Sequence, residues 1–295
     1  MNCDMAYLLG MICGNGTLSR TNRDTTISIR FPHKKLKTES GQDVSIYVAA
    51  SIMDIRSILD PLVGSAMRTT QDKHVTTLYF NKINEDYLIR EIYKYTGSAL
   101  VASTMRVHNY FFTAPYDERI SFLQGFADVT AYIRRTNYCF QKYKHRVYIE
   151  IPSNWEMVID IANLLKSIDI PVQTIDWAHP NMRDPQLKKY NQGNHLFWKK
   201  EHQIKVWANE FEKIGFAVKH KQAALTMLSG ELTNELMRKG HDSNNKTHKY
   251  YWESQTVEKI KDKHPAVNHN SIPLSIRGQN YNSWTDVARV LGYHE

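Results

Sequence analysis

The chain has 295 residues, 42% apolar and 23% charged, a globular composition long enough to bury a sizeable core in one large domain or two smaller ones. Its 38 Lys and Arg against 30 Asp and Glu give a charge of +8, which suits an anionic partner, nucleic acid first, and equally a solvated basic surface. Cys3, Cys13 and Cys139 fit neither a zinc site nor a disulfide framework, residues 1–7 do not read as an export signal, and no apolar run nears the roughly 20 residues that span a bilayer. A soluble protein of a reducing, cytoplasmic compartment is therefore expected, with no membrane role.

The predicted elements follow in chain order. Residues 6–16 form a helix, then come a strand at 17–20, a turn at 21–24 and a strand at 25–31 whose apolar residues alternate. Val48, Ile52, Ile55, Leu59 and Leu62 recur at helical spacing and give an amphipathic helix. A second hairpin covers 66–82 with a polar turn at 71–73, and a helix at 84–96 is capped by Asn84 and stopped at Gly97. A helix at 120–131 then restarts the series, with strands at 132–140 and 145–151 about a turn at 141–144. In the latter strand Val147, Ile149 and Ile151 alternate with Arg146, Tyr148 and Glu150. Val158, Ile161, Leu165 and Ile168 mark the next helix, opened by Ser153 or Asn154. Strands at 172–177 and 195–207 flank a polar loop, and helices at 209–215 and 219–238 follow, the latter with Leu225, Leu228, Leu232 and Leu236 on one side.

The chain therefore repeats itself. Residues 7–18 align with 122–133 on Gly10 and Gly125, an offset of 125 − 10 = 115, and each copy heads the order α-β-β-α-β-β-α. The expected fold class is α+β, two pseudo-symmetric halves (1–100 and 101–239) forming a saddle, with a small extension at 240–295. Two helices that cross at very close range need small residues at the contact, and Gly10, Gly14 and Gly125 supply them.

Leu8 to Gly16 and Leu123 to Ala131 resemble the two motifs of single-chain LAGLIDADG homing endonucleases, and the likeness extends in element order over about 5–238. The resemblance implies a monomer that lays its sheets in the major groove of double-stranded DNA. In that family the acid at the eighth motif position of each helix binds the divalent metals that act on the two scissile phosphates. Here those catalytic positions hold Asn15 and Thr130. The sixth positions, which in the family chiefly help cap the helix, hold Cys13 and Asp128, so Asp128 is the one acid left to support residual activity. A neutral amide or hydroxyl oxygen brings no charge to offset a divalent ion, so no metal and no cofactor are expected, and Mg2+ enters only if cleavage persists.

By strand alternation, Ser28, Arg30, Arg146 and Tyr148 face the groove and read bases, and the hairpin tips add Arg20, Arg23, Arg135, Lys142 and Lys144. Lys34, Lys35, Lys188, Lys189, Lys199 and Lys200 are placed on phosphates. Residues 240–249 read as a linker and 252–263 as a short helix. Residues 272–295 resemble a truncated nuclease-associated modular repeat, in which Ser283 caps a helix that Gly292 ends. A sequence-specific double-stranded DNA-binding protein without cleavage is the leading expectation, a repressor or accessory factor. An active endonuclease with atypical metal ligands and a maturase acting on intron RNA are the alternatives.

Overall fold

The computed structural model describes residues 1–38, 44–64, 67–97, 99–134, 145–176, 201–230, 274–276 and 279–281. The first half runs α1 (Cys3–Asn15), β1 (Gly16–Arg20), β2 (Asp24–Pro32), a single turn α2 (His33–Leu36), α3 (Val44–Val63), β3 (Arg68–Gln71), β4 (Val75–Ile83) and α4 (Tyr87–Thr96). The second runs α5 (Tyr116–Thr130), β5 (Ala131–Arg134), β6 (Arg146–Pro152), α6 (Trp155–Lys166), β7 (Thr174–Asp176), β8 (Glu201–Trp207), α7 (Ala208–Phe211) and α8 (Lys219–Gly230). A small antiparallel hairpin, β9 (Leu274–Ile276) with β10 (Gln279–Tyr281), lies in the extension. The fold is α+β: two four-stranded antiparallel sheets with the same strand order, β1-β2-β4-β3 and β5-β6-β8-β7, each with helices over its apolar face.

Period-two alternation explains the sheets. Ile27, Ile29 and Phe31 of β2 and Val147, Ile149 and Ile151 of β6 are buried, while Ser28, Arg30, Tyr148 and Glu150 keep contact with solvent. The turns are closed by side chains. Thr21 Oγ1 accepts from the amides of Arg23 and Asp24, and Asp72 Oδ1 accepts from those of His74 and Val75 at 2.6 and 2.8 Å.

α1 and α5 cross at the centre, and glycine sets their separation. A Cβ on Gly10 would stand 2.0 Å from the carbonyl oxygen of Phe122, and one on Gly125 would stand 2.0 Å from that of Tyr7. Tyr7 and Phe122 are themselves equivalent, 122 − 7 = 115 apart, so the contact is reciprocal. Gly14 instead makes room for a larger partner: its Cβ would meet Cγ2 of Val129, which occupies the equivalent place on α5, at 2.6 Å. Both halves bury their apolar faces in one continuous core around this crossing.

Several local expectations are corrected. Asp86, not Asn84, caps α4, accepting from Leu88 at 2.8 Å. Asn84 is occupied in tying α4's approach to the first hairpin, accepting from Thr25 Oγ1 and donating to the Thr21 carbonyl. Of the two candidate caps of α6 the structure selects Asn154, which accepts from Met157 at 3.0 Å, while Ser153 sits at φ 59°. The expected helix at 209–215 is the single turn α7, ended before Gly215 at φ +66°. The link between halves contains two short 3-10 helices, Ala102–Thr104 and Asn109–Phe112, that periodicity does not reveal. The stretches expected at 135–144, 178–200, 231–271 and 282–295, with the loop, linker and terminal helices placed there, lie outside the described residues.

Candidate nucleic-acid interface

The outward face of the first sheet is polar and open. Register places Thr17, Ser28, Tyr79 and Arg68 in one row and Arg30, Thr77 and Thr70 in the next. Arg30, Thr17, Arg68 and Thr70 are exposed, while Ser28, Thr77 and Tyr79 are half-buried. At roughly 4.8 Å strand spacing the guanidinium groups can donate to base edges and phosphates, and the hydroxyls can donate to either or accept from base edges. Arg23 stands exposed at the hairpin tip. Arg20 departs from expectation: it shares its side of β1 with Leu18, and its guanidinium lies over the Tyr93 ring of α4, 5.2 Å from the centroid, on the helix side.

The second sheet carries a different chemistry. Tyr132, Tyr148, Lys205 and Thr174 form one row, with the two tyrosine rings stacked at 5.2 Å and 10°. Arg146 pairs in register with Trp207 and lays its guanidinium over that ring at 4.7 Å. At 8% exposure Arg146 is buried, so the expected open reading arginine is instead a stacked one. Arg135, Lys142, Lys144, Lys188, Lys189, Lys199 and Lys200 lie outside the described residues.

The two helices end close together, where a Cβ on Gly14 would stand 3.0 Å from Cγ2 of Thr130. Asn15 closes α1 and donates from Nδ2 to the carbonyl of Arg30 at 2.8 Å. Thr130 closes α5, is buried, and donates its hydroxyl back to the Phe126 carbonyl at 2.6 Å. Neither offers an anionic oxygen, and Thr130 is not turned to solvent. This donor set does not fit a divalent cation, which needs carboxylates to replace its water. Among the described residues no three His, Cys, Asp or Glu side chains gather to hold a metal.

Asp128 does not face the interface. It is fully buried, accepting from the Tyr7 hydroxyl at 2.7 Å and the Ala217 amide at 3.0 Å, with the Lys221 ammonium 3.9 Å away. Its expected role in capping its own helix falls to Lys221. That fully buried ammonium donates to the carbonyls of Ala127, Asp128 and Ala131 at 3.2, 3.2 and 2.8 Å, where α5 passes into β5. Burial lowers Lys221 to about 8, against the pull of Asp128, and raises Asp128 above the usual carboxylate range. The equivalent position on α1 is Cys13, a buried thiol pushed up to about 12 by burial.

Sequence reasoning missed four lysine and glutamate contacts that join the halves. α2 crosses from the first half to the second, where Lys35 pairs with Glu150 and, at 3.5 Å, with Glu201. Lys34 lies 3.5 Å from both carboxylates. Lys35 also stands over the Tyr132 ring at 5.3 Å, and Gln203 bridges the Tyr132 hydroxyl and Glu150 at 3.3 Å each. Glu150 is legible as a polar-face residue by alternation, but nothing in the linear sequence links it to Lys35, 150 − 35 = 115 residues away.

The geometry defines a class: a single-chain α+β protein of two like halves, joined through glycine-mediated helix packing, with an open polar sheet face. No protein-family model and no curated protein match the chain. Among solved structures it is similar to a mesophilic variant of the homing endonuclease I-DmoI, at 14% identity and TM-score 0.38, over 78% of this chain and 98% of that one. It is also similar to full-length DUF199/WhiA from Thermatoga maritima, at 11% identity and TM-score 0.40, over 84% and 68%. A double mutant of I-SmaMI matches at 8% identity and TM-score 0.40, over 85% and 99%. I-DmoI has been solved in complex with DNA and manganese. Among the described residues no helix is long and apolar enough to cross a membrane.

Proposed function

We propose that the chain is a sequence-specific double-stranded DNA-binding protein of LAGLIDADG descent that does not cut its target. The single observation that carries this reading is the pairing of an open polar sheet face with helix ends whose donors, Asn15 and Thr130, are neutral and engaged with backbone carbonyls. The face supplies alternating hydroxyl and guanidinium groups for bases and phosphates, in keeping with the basic charge of +8. The helix ends lack the charge that would hold metal at a scissile phosphate. The two-halved chain works as a monomer, each half taking one side of an asymmetric site.

The test is a selection of bound duplexes from a random pool in magnesium, with the products examined for breaks. Enrichment of one intact sequence of roughly 20 base pairs supports the proposal, and affinity for it should fall steeply with salt as condensed counterions are released. If no duplex is enriched but folded intron RNA is retained, the chain is a maturase. Robust breaks make it an endonuclease and put the metal on residues other than Asn15 and Thr130.

A further inference from the structure

The polar face of the second sheet holds charges that base reading does not use. Glu150 of β6 and Glu201 of β8 lie on neighbouring strands: Glu150 stands opposite Gln203, and Glu201, two residues before Gln203 on β8, stands opposite Pro152. Two carboxylates at this place would repel the phosphates of any duplex laid across it, because like charges brought together at an interface oppose association. Their countercharge comes from the other half of the molecule. Lys34 and Lys35 project from α2, the turn that directly continues β2, the strand whose Arg30 carbonyl receives Asn15. The second half has no such turn, since β6 passes through Ser153 and Asn154 straight into α6. Thus an element confined to the first half delivers two ammonium groups to two carboxylates of the second. Lys35 is 6% exposed in its side chain and is fixed by both carboxylates and the Tyr132 ring, whereas Lys34 is 65% exposed and meets the same two carboxylates at 3.5 Å from the solvent side.

We propose that Lys34 and Lys35 serve as fixed countercharges to Glu150 and Glu201 and so make duplex binding independent of divalent cations. This rests on the DNA-binding reading and adds to it a stated condition of binding. Burial lowers Lys35 to about 7 against the raising charge of Glu201, and the placement of both carboxylates beside it is what favours its ammonium form. The arrangement predicts more than the loss of a phosphate contact. Removing the lysines exposes two uncompensated carboxylates, and a divalent cation then becomes useful where before it was not.

The experiment measures affinity for the selected duplex by fluorescence anisotropy, in EDTA and in calcium at matched ionic strength. The full chain is compared with Lys34→Ala, with Lys34→Ala/Lys35→Met, and with the latter carrying Glu150→Gln/Glu201→Gln. The native chain should bind equally in both buffers. The double lysine variant should lose about tenfold or more in EDTA and regain most of it in calcium, and the added glutamine changes should restore binding in EDTA. Lys34→Ala, at an exposed position, should show the same pattern in smaller degree and guards against misfolding of the Lys35 variant. Equal losses in both buffers, or no recovery with glutamine, would mean that the lysines are ordinary phosphate contacts, and the inference fails while DNA binding stands. A native chain that binds no duplex in either buffer overturns the DNA-binding reading itself.

Discussion

At Gly10 and Gly125 the helix crossing leaves no room for even a methyl group, since the obstructing atoms are carbonyl oxygens of the opposite helix. Backbone cannot swing aside as a flexible side chain can. Gly10→Ala and Gly125→Ala should therefore each cost at least the roughly 1–3 kcal/mol typical of overpacking. Gly230→Ala, with nothing within 4 Å of the new Cβ, should be neutral or slightly stabilising, and urea midpoints compare the three. A second residue-scale prediction concerns Lys221. Lys221→Met leaves Asp128 buried without its cation and should cost about 3–5 kcal/mol, part of which Asp128→Asn in the same chain should return. The pH dependence has a definite sign. With Lys221 at about 8 in the native state and near 10.5 when unfolded, the unfolded chain holds the extra proton between those values. The contribution of this group to stability therefore rises with pH across that window, and Lys221→Met should abolish the rise in a series of denaturation curves. The glycines were legible in the sequence because their spacing repeats. Lys221 was not, because its partners Asp128, Ala127 and Ala131 lie about 90 residues earlier and only the fold brings them together.

At the scale of elements, the two sheets share one topology but not one surface. The first presents Thr, Ser and Arg, and the second presents stacked tyrosines and an arginine held on Trp207. Arg30→Ala should relax sequence preference at the bases it meets, with a cost of about 1–3 kcal/mol at those positions. Arg146→Ala should act mainly on stability, because the buried guanidinium packs on an indole ring. Binding-site selection with each variant, beside thermal melts, separates the two effects. Alternation along β2 and β6 made the strand faces legible from sequence alone. Alternation could not tell an open polar residue from a covered one, which is why Arg146 and Arg30 read alike before folding and differ after it. Helix starts failed for a related reason. Asn84 and Asp86 are both good caps by type, and the choice between them is made by the hairpin that engages Asn84.

At the scale of the whole molecule, the internal repeat is carried by topology and by the helix crossing, while charge breaks the symmetry. Among the described residues Cys13, not an acid, stands in the place equivalent to Asp128, and β6 runs into α6 without a turn like α2. The 115-residue offset, visible in Gly10 and Gly125, therefore predicted the architecture but could not predict which half supplies which charge. A molecule of this kind, with unlike faces on a shared frame, suits a target whose two sides differ. Binding without cutting is tested by holding the selected duplex, labelled on both strands, with excess protein in magnesium or manganese and resolving the strands after denaturation. Both strands should stay full length while the duplex remains bound. Cleavage of both strands by the native chain would show instead that it is an endonuclease.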